Sequence, residues 1–171
     1  MTTASMTTAS NPVLRYWQSL TWALSGLQPV VLLLFRLFVA VAFWRAGVVK
    51  LADPSGTLAL FTHDYHVPIF SPHTAALLGT WVELILPWFL AFGVAGRPIA
   101  IVLFVYNIVA VISYPDLWPN GLWNGLIGDD FNDHKAWGMM LLALVAWGPG
   151  LLSVDGIIGA VLRRRAPAPA R

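Results

Sequence analysis

Four long apolar stretches, at residues 29–49, 74–93, 98–114 and 135–152, limit what this chain can become. Each approaches the roughly 17–25 residues with which a helix, rising about 1.5 Å per residue, crosses the hydrocarbon of a bilayer. Pro29 and Pro98 stand at helix starts, where a missing N–H costs nothing. Gly93-Val94-Ala95-Gly96-Arg97-Pro98 reads as a tight turn, which makes the second and third spans antiparallel neighbours. Gly148-Pro149-Gly150 loosens the end of the fourth. The expectation is an all-α fold: a four-transmembrane-helix bundle, with residues 29–162 as its membrane domain.

Composition agrees. The chain is 58% hydrophobic and 11% charged, against about 25% charged residues in soluble proteins. A soluble domain of this size could not hide so much apolar surface, so lipid is the solvent for much of it. A net charge of +2, without a basic face interleaved with aromatics, excludes nucleic acid as a partner. With Cys 0, thiol–disulfide chemistry, iron–sulfur ligation and thiolate zinc sites are excluded from this polypeptide.

Upstream of the first span, within residues 13–28, Leu14, Trp17, Leu20, Leu24 and Leu27 recur at helical spacing around Arg15 and Gln18. This pattern suits a short amphipathic helix lying in the interface; the alternative is a plain extension of the first span. Residues 1–12, with their tandem MTTAS, read as a disordered tail lacking the basic region and apolar core of a signal peptide. Residues 163–171 read as a basic, disordered tail.

Orientation follows the basic residues. Arg15, Arg97, Arg163, Arg164 and Arg165 fall on one side of a four-span chain, and Asp53, Asp64, Asp116, Asp129, Asp130 and Asp133 on the other. Both termini are therefore expected in the cytoplasm of a bacterial inner membrane, with loops 51–73 and 115–134 outside. Trp81, Trp118, Trp123 and Trp137 fit an outer aromatic belt, and Trp17, Trp22, Trp88 and Trp147 an inner one.

Three polar side chains lie inside spans. Counted from the cytoplasmic ends, Arg36 is about 10 Å deep, Glu83 about 15 Å and Asn107 about 14 Å. A charge at mid-bilayer costs roughly 2.5–3.5 kcal/mol, so pairing of Arg36 with Glu83 inside the bundle is expected. Pro87 cannot donate to the carbonyl of Glu83, which predicts a kink and a free acceptor beside the carboxylate. Such a cluster suits a quinone carbonyl or a proton relay; alternatively the pair only fixes helix register. Arg36, Ala40, Phe43, Gly47 and Lys50 share one face of the first span, with Gly47 allowing a close helix approach. Arg45 faces the other way and snorkels outward. Phe43, Tyr106 and Trp147 are the expected aromatic lining.

All four histidines, His63, His66, His73 and His134, fall in the outer loops. His63 and His66 are three apart, and Asp129, Asp130 and Asp133 precede His134. Two such histidines with a carboxylate suit copper or zinc; the plainer alternative is hydrogen-bonding interfacial histidines. No span holds a histidine, which argues against a bis-histidine haem in the bilayer.

These residues resemble the DoxX-like membrane proteins. The first span, LFRLFVAVAFWRAGVVKLAD, with Arg36, Gly47 and Lys50, resembles the opening signature of that family. GTWVELILPWFLAFGVAGR, with Glu83, is similar to its second segment, and GPGLLSVD to its ending, so the resemblance runs over about residues 30–160. LFTHDYHVPIFSP and NIVAVISYPDL resemble a subgroup discussed beside metal-stress peptide-modification systems. The resemblance implies a membrane partner in oxidative or thiol-stress complexes, and DoxD-like relatives belong to a thiosulfate:quinone oxidoreductase. The segment WPNGLWNGLIGDDF, residues 118–131, departs from the plain family pattern and is expected to lie on the membrane surface over the bundle mouth.

Two functional expectations follow. The first is a redox- or stress-associated subunit, not catalytic alone, that binds quinone or docks a redox partner through Arg36, Lys50, Glu83, Tyr106 and Asn107. The second is a non-enzymatic component of metal or peptide handling, with copper or zinc at His63, His66 and His134. A structural scaffold, and self-association into a homo-oligomer, complete the range.

Overall fold

The computed structural model describes residues 12–165, which are helical and turn in structure with no strand among them. The order is α1 (Pro12–Ser25), α2 (Gln28–Ala52), α3 (Pro54–His63), α4 (Pro72–Phe92), α5 (Gly96–Ser113), a 3-10 turn (Pro115–Leu117), α6 (Leu122–Ile127), α7 (Asn132–Trp147) and α8 (Val154–Arg165). Three helical stretches, Pro12–Ala52 (α1 running into α2), Pro72–Phe92 and Gly96–Ser113, are long and apolar enough to cross a membrane. With 16 residues, α7 is shorter than these.

Local chemistry sets the boundaries. Proline stands in the first turn of α2, α3 and α4. Asp53 caps α3 by accepting from the Gly56 N–H at 2.9 Å, and Ser71 caps α4 by accepting from the Thr74 N–H at 3.3 Å. α4 ends at Gly93, whose φ of 67° is the left-handed conformation in which glycine carries no Cβ penalty. Gly148, at φ 81°, stops α7 before Pro149. The fourth span was expected over 135–152; the helix starts three residues earlier and stops at this glycine.

The principal packing joins α2 to α4 and α5 to α7, and α2 also meets α7. Although their connection is tight, α4 and α5 touch much less, so sequence neighbours are not the main packing partners. Leu32, Val39, Phe43, Leu90, Ala100, Leu103, Leu141 and Leu144 form the core. A smaller cluster of Phe61, Ala75 and Ala76 ties α3 to α4 at the other end. Outward-facing Leu34, Phe38, Trp81, Val105 and Ile112 remain exposed, as side chains meant for lipid do.

Arg36 is buried near the start of α2 and closes one end of the bundle. Its Nη1 donates to the Ala91 carbonyl at 2.9 Å and its Nη2 to the Leu152 carbonyl. Beside it, the Asp155 carboxylate accepts from the Ala95 N–H at 3.0 Å and the Gly96 N–H at 2.7 Å, capping α5 from 59 residues away. Ser153 caps α8 through the Gly156 N–H at 3.0 Å. Arg163–Arg165 are the last turn of α8, whereas residues 1–11 and 166–171, where most of both expected tails falls, lie outside the described residues.

Candidate ligand-binding cavity

The expected meeting of Arg36 with Glu83 does not occur. Helices α2 and α4 run antiparallel, and Gly47 is the residue level with Glu83: a Cβ at Gly47 would lie 2.9 Å from the Cβ of Glu83. Eleven residues separate Gly47 from Arg36, so the two charges stand about 16 Å apart along α2. Counting depth from span ends missed this because α2 overhangs α4. Glu83 pairs instead with Lys50, from the last turn of α2, whose Nζ lies 2.5 Å from Oε2. The long lysine stem lets its ammonium reach down one turn into the bundle.

Tyr106 donates its hydroxyl proton to the other carboxylate oxygen, Oε1, at 2.7 Å. Each oxygen of Glu83 therefore has a partner, as a carboxylate removed from water requires. Pro87 is buried inside α4 without ending it. It leaves the Glu83 carbonyl without the usual donor four residues on.

Asn107 faces His134 across α5 and α7. Its Nδ2 donates to the His134 carbonyl at 2.9 Å, and its Oδ1 lies 2.9 Å from Nδ1 of the ring. Because the amide nitrogen is committed to the carbonyl, Oδ1 accepts from Nδ1–H. The ring is then the Nδ1–H tautomer, with Nε2 an acceptor. His134 was expected in an outer loop and falls in the first turn of α7, half-buried.

Lys50, Glu83, Tyr106, Asn107 and His134 line one cavity of about 420 Å³. Its walls are aromatic: Phe43 stands 6.0 Å from the Tyr106 ring and 5.6 Å edge-on to Trp137, which was expected in the outer belt. Trp147, expected in this lining, lies at the opposite end of α7 and takes no part. Phe61, Tyr65 and Tyr114 stack successively at 4.7 and 4.8 Å, and the first two of these rings line the cavity. Burial first, and the Glu83 charge second, hold the Tyr65 phenol above its ordinary pKa, so it stays neutral. The segment after α3 is pinned by the His66 N–H donating to the Ser113 carbonyl at 2.7 Å.

The Ser113 hydroxyl lines the same cavity, is buried, and has no hydrogen-bond partner among the described residues. Such groups are rare in folded proteins and cost about 1–3 kcal/mol when left unmet. Ser113, Phe61 and Tyr65 fall in the two stretches that resemble a family subgroup, LFTHDYHVPIFSP and NIVAVISYPDL, but nothing in their own chemistry marked them as cavity residues.

The remaining expected site residues are not brought together. His63 and His66 are exposed, and His66 Nδ1 lies 3.2 Å from the Asp64 carbonyl. Among the described residues no group of three or more His, Cys, Asp or Glu is placed to hold a metal ion. Arg45 is exposed, as anticipated.

A helical bundle with lipid-facing walls and a buried ion pair inside an aromatic cavity defines a polytopic membrane protein with an internal cavity. The DoxX family model matches residues 31–115, about half of the chain, and the protein belongs to that family. No curated protein and no solved structure matches it. The matched stretch carries Lys50, Glu83, Tyr106, Asn107 and Ser113; His134 and Trp137 on α7 lie beyond it.

Proposed function

We propose that this DoxX-family protein is a membrane subunit that binds the head group of a quinone in the cavity between α2, α4, α5 and α7. The observation that carries the reading is the apolar cavity of about 420 Å³ holding the Lys50–Glu83–Tyr106 chain and an unpartnered Ser113 hydroxyl. That volume falls in the roughly 300–1,000 Å³ range of small-ligand sites, which combine apolar walls with a few convergent polar groups. A quinone ring fits aromatic walls, and its carbonyl oxygens need donors, which Lys50 and Ser113 supply. Glu83 positions Lys50 and Tyr106 and keeps both oriented. Electrons come from a redox partner that docks on this subunit.

The arrangement favours a four-span topology, with α7 as the fourth helix through its buried Leu141 and Leu144. The arginines at the Arg36 end favour cytoplasmic termini in a bacterial inner membrane, with α1 in the interface and the cavity near the outer side. Arg36 is structural in this reading and leaves the site.

Titration of detergent-purified protein with a short-chain ubiquinone analogue tests the proposal. Saturable binding that Glu83→Gln and Lys50→Gln weaken supports it. Equal binding by wild type and both variants removes the site.

A further inference from the structure

A second concavity, of about 940 Å³, opens at the Arg36 end of the bundle between the α1–α2 turn, the start of α5, the end of α7 and α8. Arg97 and Arg163 line it together with Trp22, Trp147 and Leu151. Both guanidiniums rest on glycine. A Cβ at Gly148 would lie 3.3 Å from Arg97 Nε, and one at Gly159 3.5 Å from a terminal nitrogen of Arg163. The side chains thus lie along the groove walls.

Their hydrogen-bonding capacity is almost unspent. Arg97 donates to the Ala146 carbonyl at a long 3.3 Å, and among the described residues Arg163 makes no hydrogen bond or ion pair. The groove's carboxylate, Asp155, is already engaged by the Ala95 and Gly96 N–H groups. Two guanidiniums facing one space outnumber this single carboxylate, whose two oxygens are already hydrogen-bonded, and the positive charge left over is one that an anion would balance.

The flanks say what carries that anion. Trp22 is 80% exposed, Trp147 63% and Leu151 62%, so apolar surface runs from the groove onto the lipid-facing exterior. Indoles at this level mark the head-group region of a bilayer. Guanidiniums bind phosphate oxygens in a bidentate manner.

We infer that this groove binds an anionic phospholipid, its phosphodiester between Arg97 and Arg163 and its acyl chains along Trp22, Trp147 and Leu151. The site shares no residue with the quinone cavity and stands whether or not that proposal holds.

The full chain, purified in detergent with phosphatidylcholine, is titrated with phosphatidylglycerol, and retained lipid is read by native mass spectrometry. Wild type should prefer phosphatidylglycerol, and Arg97→Gln/Arg163→Gln should lower that preference by roughly 30-fold, about fivefold for each basic residue near the surface. Arg164→Gln/Arg165→Gln should leave most of it intact. The inference is overturned if the first pair retains lipid as wild type does, or if the second pair loses as much, which would indicate diffuse charge. Displacement of the lipid by equimolar glycerol phosphate would also overturn it, since the acyl chains would then contribute nothing. Unchanged melting of both variants in phosphatidylcholine alone confirms that folding is intact.

Discussion

Gly47 packs directly against Glu83: any Cβ at position 47 would stand 2.9 Å from the Glu83 Cβ and 3.0 Å from its carbonyl carbon. This contact sets the register of α2 on α4 and brings Lys50 within reach of the carboxylate. The obstruction is backbone and cannot swing aside. Gly47→Ala should therefore destabilise the protein by about 1–3 kcal/mol, as overpacking does, and loosen the Lys50–Glu83 pair. Thermal unfolding in detergent measures the first effect.

Removing one member of that pair strands the other. Glu83→Leu should cost about 3–5 kcal/mol by leaving the Lys50 ammonium buried without its counterion. Lys50→Met/Glu83→Leu should recover most of that loss. A double-mutant cycle on melting temperature checks this, and additive losses would show that the charges do not interact.

Ser113 separates stability from binding. Its buried hydroxyl has no partner to lose among the described residues, so Ser113→Ala should leave the melting temperature unchanged or raise it. If the hydroxyl meets a ligand carbonyl, quinone affinity should fall about five- to tenfold, the worth of one hydrogen bond. Loss of stability without loss of affinity would contradict the assignment.

Asp155 caps α5 across the bundle. Asp155→Ala frees the N–H groups of Ala95 and Gly96 and should cost about 1–2 kcal/mol, the upper range for a lost cap. Hydrogen exchange should rise first at residues 93–97, with Asp155→Asn intermediate between wild type and alanine.

Asp53 gives the α3 start an acid sensitivity. The Gly56 N–H, and next the Ser55 hydroxyl, hold its carboxyl below the ordinary value of 3.8. A folded value under the unfolded one means that its stabilising effect is fully present above about pH 4 and is lost as pH falls through the folded value. Exchange protection at Gly56 and Thr57 should follow that loss in wild type and show no such dependence in Asp53→Ala.

The apolar stretches announced α2, α4 and α5 to within three residues, because hydrocarbon imposes length and composition on a spanning helix. Arg36, Glu83 and Asn107 were equally legible as buried polar groups, since few such residues occur inside spans. Their partners were not. Whether Glu83 meets Arg36 or Lys50 depends on the stagger of α2 against α4, which Gly47 decides and residue counting does not. Helix α3 escaped notice although Asp53-Pro54-Ser55-Gly56 holds its cap, because an apolar run of ten residues is too short to signal a span. Helix α8 was hidden by the basic ending that reads as a tail. Ser113 is recognisable only once the fold buries it beside the cavity.

The acceptor that Arg36 finds at Leu152 lies 116 residues further along the chain. At synthesis rates of about 5–20 residues per second, the guanidinium waits roughly 6–23 s before that carbonyl exists. Helix α2 must therefore enter the bilayer with this cation incompletely matched, sheltered by water, lipid phosphate or the insertion machinery. A nascent chain arrested before residue 152 should leave position 36 open to a labelling reagent that the finished chain excludes, so this end of the bundle is the last to seal.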